Sequence, residues 1–160
     1  MKIVLLQKYF QELPNAKYWN NFIGNNVFNY DYLSSFFNDS NRNLIHLLAL
    51  HDNKPVGIFI YEKLKHTNIY KVYLIAKKKN TECKGLGKAF FSYLELFIKK
   101  GTIVLIDDSD IPNYYNNLGF KMSNGFVNCL FCKFNKNGYY KKLNQKKYRK
   151  NISNAKIYPL

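Results

Sequence analysis

One short segment, Lys84-Gly85-Leu86-Gly87-Lys88-Ala89, constrains this chain more than any other. A β-like run at positions 69–76 precedes it, and an amphipathic run at positions 89–100 follows. A strand, a glycine turn and a helix in that order form an anion site. The glycines let backbone approach a ligand with no Cβ in the way. The first turn of the helix offers N–H groups without internal partners, and the helix dipole adds positive potential there. Lys84 and Lys88 add two full charges. Such a segment suits a phosphate or pyrophosphate.

The rest of the chain supplies a setting for that turn. Residues 1–7 alternate weakly and can open a sheet, and Leu13-Pro14 breaks the pattern. Tyr18, Trp19, Phe22 and Ile23 fall at helical spacing within 16–23, and Tyr30, Leu33, Phe36 and Phe37 do so within 30–37. A loop is expected over 38–41. Three β-like segments follow, at 44–50, 56–62 and 69–76, with polar connections that suit an antiparallel meander. The helix after the glycine turn carries Ala89, Phe90, Tyr93, Leu94, Phe97 and Ile98 on one stripe, with Gly101 expected to stop it. Residues 102–106 suit a buried strand parallel to the one before the turn. A short helix is expected over 111–118, with Pro112 in its first turn and Gly119 at its end. Two further β pieces are expected within 120–134, around a turn at Asn124-Gly125. The order reads β-α-α-β-β-β-α-β-α-β-β.

Charge divides the chain at about residue 136. Of 25 basic residues, 17 lie before that point with all 10 acids, a balance of +7, and the last 25 residues hold seven Lys, Arg149 and no acid. The expected organisation is a domain over 1–135 and a basic tail over 136–160. Such a tail suits contact with nucleic acid or another anionic partner, or a solvated end that aids solubility. At 160 residues and 47% hydrophobic, the chain can bury a core of ordinary size. Aromatics reach 18% alongside abundant Lys and Asn, so no single Tyr or Lys stands out by type alone. The apolar run Ile3-Val4-Leu5-Leu6 is too short for a signal peptide or a membrane span. Three cysteines, Cys83, Cys129 and Cys132, then suit an intracellular protein, cytoplasmic or nuclear, with reduced thiols. Cys129-x-x-Cys132 is half of a zinc site with no second pair, so no metal is expected.

The glycine turn and one later segment together resemble the GCN5-related N-acetyltransferase (GNAT) family. Its acetyl-CoA loop is usually Gln/Arg-x-x-Gly-x-Gly/Ala; here it reads Glu82-Cys83-Lys84-Gly85-Leu86-Gly87. The glycines match and the leading residue does not. The family often closes a short helix after its fifth strand with Tyr-x-x-Leu-Gly-Phe, and Tyr115-Asn116-Asn117-Leu118-Gly119-Phe120 matches in full. The resemblance spans about 44–134. A P-loop enzyme is a poor alternative, because no Gly-x-x-x-x-Gly-Lys-Ser/Thr is present.

The resemblance implies an α+β fold, with a mixed, mostly antiparallel sheet of six to seven strands and helices on both faces. It implies acetyl-CoA as cosubstrate, held where the fourth and fifth strands splay. The pyrophosphate is expected on Cys83, Lys84, Gly85, Leu86, Gly87 and Lys88. The pantetheine arm is expected along Leu74, Ile75, Ala76 and Lys77, like an added strand, with Asn113 also contributing. Glu82 would repel the diphosphate; Lys77, Lys78, Lys79, Lys84 and Lys88 can offset it.

The implied reaction is direct transfer of an acetyl group to a primary amine of a small molecule or peptide. Tyr115 stands where the family protonates the leaving thiolate, with Tyr114 the second candidate; as a bare residue Tyr115 is equally a core aromatic closing the helix. Asp107 and Glu62 are the candidates for the base. Asp108 stands where the family often has Asn, and the 107–110 cluster also suits N-capping. His46, His51 and His66 are read as strand or surface residues, and Cys83 as a backbone contributor. The alternative is a catalytically inactive module of the same fold that contacts nucleic acid or a protein through its basic tail.

Overall fold

The computed structural model describes residues 1–12, 14–24, 43–107, 111–131 and 136–144. Seven strands form a sheet in the order β1-β2-β3-β4-β5-β7-β6. They are β1 (Lys2–Leu5), β2 (Leu44–His51), β3 (Lys54–Lys63), β4 (Ile69–Lys77), β5 (Gly101–Asp107), β6 (Lys121–Met122) and β7 (Asn137–Leu143). The helices are α1 (Leu6–Tyr9), α2 (Ala16–Ile23), α3 (Leu86–Phe97), α4 (Tyr114–Asn117) and α5 (Asn124–Phe131). The chain divides into two compact units, Met1–Lys63 with Lys71–Phe90, and Leu64–Tyr70 with the residues from Phe91 onward.

The first unit is built on a meander. β1 pairs antiparallel with β2, and β2 with β3. The β2–β3 hairpin closes at His51↔Lys54, with Asp52 and Asn53 both at positive φ (50° and 60°). Two successive left-handed residues give the turn whose twist matches paired strands, and Asp and Asn accept that conformation better than most. β3 is buried throughout its middle, from Val56 to Tyr61. Helix α2 starts at Asn15, whose side chain accepts from the Tyr18 N–H at 3.0 Å. It buries Trp19, Phe22 and Ile23 in a core with Leu6, Leu48, Leu50, Ile58, Ile60, Leu74 and Ala76.

The second unit centres on β7, which pairs antiparallel with β5 from Gly101↔Leu143 to Asp107↔Asn137 and with β6 at Lys121↔Tyr140. Here two expectations are corrected. The segment after β6 is the helix Asn124–Phe131 and not a strand. Its Val127 N–H donates to the Ser123 carbonyl, so Ser123 precedes the helix and Asn124-Gly125 forms its first turn instead of a hairpin. The strand missing from that segment is β7, inside the region expected as tail. Tyr139 is buried there and Tyr140 half-buried, as strand residues against β5 require.

Smaller differences follow from packing. Helix α3 begins three residues before 89 and ends at Phe97. Its buried face is Leu86, Phe90, Phe91, Leu94 and Ile98, whereas Phe97 is exposed. Gly101 opens β5 instead of capping the helix, and a Cβ there would stand 2.7 Å from the Asn68 carbonyl oxygen. The second expected helix (30–37) and the loop at 38–41 lie outside the described residues. No helix among the described residues is long and apolar enough to cross a membrane.

Candidate active site

The glycine turn lies in the first unit. Gly85 has φ +76°, the left-handed region where glycine carries no Cβ penalty. A Cβ built on it would meet no atom within 4 Å, so the space beside this backbone is open. The first bond of α3 runs from the Ala89 N–H to the Gly85 carbonyl at 2.9 Å. The N–H groups of Leu86, Gly87 and Lys88 therefore stand ahead of the helical ladder, where anions bind. Behind the turn, a Cβ on Gly57 would lie 2.5 and 2.8 Å from the two Leu86 methyls. Glycine in β3 is what lets Leu86, the first residue of α3, seat against the sheet. The chain leading into the turn is tied down: the Lys78 N–H donates to the Val56 carbonyl and the Lys79 N–H to the Phe22 carbonyl.

Glu82 is exposed, as are Lys77, Lys78, Lys79, Lys84 and Lys88. An exposed carboxylate beside five exposed ammonium groups leaves the local field positive. Cys83 is a half-buried free thiol, and Leu74 and Ala76 are buried while Ile75 is half-buried.

Also in the first unit, Glu62 is half-buried one residue before the end of β3, and the Tyr73 hydroxyl donates to its Oε2 at 2.8 Å. Lys71 stands with its Nζ 4.9 Å from the centre of the Tyr73 ring. A carboxylate held by a phenol on the neighbouring strand is oriented by that bond.

The Tyr115 segment lies in the second unit. Asn113 enters α4 at φ 58° with no capping bond from its side chain, which is exposed. Tyr115 is 8% exposed. Its ring lies 5.0, 5.5, 5.9 and 6.4 Å from those of Tyr114, Tyr139, Phe120 and Phe91. Its carbonyl accepts from the N–H groups of both Leu118 and Phe120, so the Leu-Gly-Phe end of the motif folds back onto the tyrosine. Burial holds the Tyr114 phenol above its ordinary pKa of 10.0.

No family model and no curated protein matches this chain. Solved structures do. Gcn5 of Tetrahymena superposes with a TM-score of 0.69 at 12% identity, covering 91% of this chain and 98% of that one. Aminoglycoside 6'-acetyltransferase type Ii gives a TM-score of 0.58 at 14% identity, with 89% and 97% covered. The PaiA N-acetyltransferase of Thermoplasma acidophilum, solved in complex with coenzyme A, gives 0.54 at 15%, with 89% and 99% covered. The fold is that of the GNAT acetyltransferases.

Within this GNAT fold the expected site residues divide between the units. The residues expected to hold acetyl-CoA at 74–77 and 83–88, together with Glu62, belong to the first unit; Asp107, Asn113 and Tyr115 belong to the second. Asp107 ends β5 half-buried, opposite Asn137. Asp108, Ser109 and Asp110 lie outside the described residues. His51 is exposed at the end of β2, His66 is exposed in a turn, and His46 is half-buried in β2. Cys129 is an exposed residue of α5, and no group of three or more His, Cys, Asp or Glu that could hold a metal occurs among the described residues. Sequence reasoning passed over Tyr73 and Lys141. Tyr73 reads as one more aromatic of a β run, and Lys141 as one more lysine of a basic tail.

Proposed function

We propose that this protein is an acetyl-CoA-dependent N-acetyltransferase that moves the acetyl group directly from the thioester to a primary amine. The observation that carries this reading is the glycine turn: Gly85 open on its Cβ side, with three amide N–H groups ahead of the Ala89–Gly85 bond. Cys83 to Lys88 would hold the diphosphate, and Leu74 to Lys77 the pantetheine arm through backbone. Acetyl-CoA supplies an activated acyl group, so no covalent enzyme intermediate is needed.

The chain's own task is to move two protons. The incoming amine must be neutral to attack, and a carboxylate takes up the proton that the new amide sheds. Glu62 is the better candidate, because Tyr73 orients it; Asp107 is the other. The departing thiolate takes a proton from the Tyr115 phenol. Aminoglycoside acetyltransferases among the structures with this fold support an amine-bearing small molecule as acceptor, with a peptide amine the other class.

Titration with acetyl-CoA, followed by a thiol-release screen across amine classes, tests the reading. Binding and turnover are expected, and Tyr115→Phe is expected to lower kcat by about 10²-fold, the contribution of a positioned acid. Absence of acetyl-CoA binding would favour an inactive module acting through its basic end. Full turnover in Tyr115→Phe would remove that residue from the chemistry.

A further inference from the structure

We propose that Lys141 is a positioning residue for Tyr115. Its Nζ donates to the Leu118 carbonyl at 2.7 Å and to Glu95 Oε1 at 2.6 Å, and lies 5.7 Å from the centre of the Phe120 ring. Two of these partners belong to the Tyr115 turn, and the third reaches it through Phe91. Leu118 and Phe120 are the two residues whose N–H groups bond the Tyr115 carbonyl. Glu95 sits one helical turn after Phe91, whose ring packs on both Tyr115 and Phe120. Gly119 makes room for the lysine: a Cβ there would stand 3.3 Å from both Lys141 Cε and Nζ.

The ammonium thus closes the carboxyl end of α4, a four-residue helix with too few internal bonds to hold itself. The Lys141 and Glu95 side chains are 23% and 25% exposed, so water competes only in part for these bonds. β7 touches the same turn again two residues earlier, through Tyr139 against Tyr115. Alternate residues of one strand face one side, so Tyr139 and Lys141 reach the motif together. Lys141 acts by fixing the backbone from which the phenol projects.

The catalytic consequence rests on the acetyl-transfer reading of Tyr115, whereas the positioning does not, and the experiment separates the two. Protein carrying ring-labelled tyrosine is compared by NMR as the native chain, Lys141→Met, Lys141→Arg and Glu95→Gln, with Tyr115→Phe assigning the Tyr115 signals. Lys141→Met should shift or broaden the Tyr115 ring signals and Lys141→Arg should restore them. Glu95→Gln, which keeps the volume and loses one anchor, should move them in the same direction by less. If Lys141→Met does not fold, Glu95→Gln and Lys141→Arg carry the measurement. Kinetically, Lys141→Met should lower kcat about tenfold at unchanged KM for acetyl-CoA, as a small misplacement does. In the Tyr115→Phe background it should cost nothing further. Tyr115 signals that stay in place in both Lys141→Met and Glu95→Gln overturn the proposal, as does an equal kcat loss in both backgrounds. Moved signals in a protein that releases no thiol with any amine would uphold Lys141 and remove the acetyl-transfer reading.

Discussion

The Tyr73 hydroxyl donates to Glu62 Oε2 at 2.8 Å, tying the end of β3 to the middle of β4. One oxygen of the carboxylate is fixed by that bond. If Glu62 is the base, Glu62→Gln should lower kcat by about 10²-fold or more, while acetyl-CoA affinity by calorimetry stays unchanged. Tyr73→Phe should cost less, about tenfold, because the carboxylate remains and only its orientation loosens. Equal activity in Glu62→Gln and the native protein would pass the role to Asp107.

Gly57 makes a sharp test of the glycine turn. An added Cβ would lie 2.5 Å from one Leu86 methyl and 3.1 Å from the Ala76 carbonyl oxygen, so Leu86 has to move. Gly57→Ala should destabilise the fold by about 1–3 kcal/mol, as overpacking does. It should also weaken acetyl-CoA binding, since Leu86 is the first residue of α3. Chemical denaturation gives the first quantity and calorimetry the second. A destabilised variant with native affinity would detach the helix start from cofactor binding.

Chain length decides whether the basic C-terminal region is an appendage. A chain ending at residue 135 loses β7, the strand that pairs with both β5 and β6. It should show no cooperative unfolding transition by circular dichroism. A chain ending at Asn144 keeps β7 and should unfold cooperatively. Native-like melting of the shorter chain would contradict the pairing.

Alkaline stability should depend on Tyr114. Burial raises its phenol above 10.0, so the folded state keeps a proton that the unfolded state gives up. Its contribution is therefore complete below pH 10 and is lost as pH rises through the folded value. Burial also raises the Tyr18 and Tyr93 phenols, so ultraviolet titration should show late-ionising phenols whose number falls by one in Tyr114→Phe, and the variant should lose less stability between neutral and alkaline pH. A Tyr114 that ionises with the exposed tyrosines would refute this.

Much of the frame was legible because it is written locally. The meander follows from β-like runs punctuated by polar turns, and α2 from the spacing of Tyr18, Trp19, Phe22 and Ile23. The glycine turn was legible because a left-handed residue and an open backbone restrict the choice at Gly85 to very few residue types. Other features were not. Phe126, Val127, Leu130 and Phe131 form an apolar run too short for periodicity to separate helix from strand. Asn124-Gly125 reads as a hairpin turn until Ser123 is seen ahead of a helix. On α3, Phe91 and Phe97 are equally apolar, and only what packs beside each buries the first and exposes the second.

By itself the sequence determined the two motifs, the strand–turn–helix that suits a diphosphate and the Tyr-x-x-Leu-Gly-Phe turn, because backbone conformation and helix ends answer to neighbouring residues. Tertiary structure alone decided that positions 137–143 are a strand, that Tyr73 meets Glu62, and that Lys141 meets Leu118 and Glu95. Strand pairing and side-chain bonds between distant positions depend on which surfaces the folded chain brings together, and a lysine held in place looks like any other lysine until its partners are known.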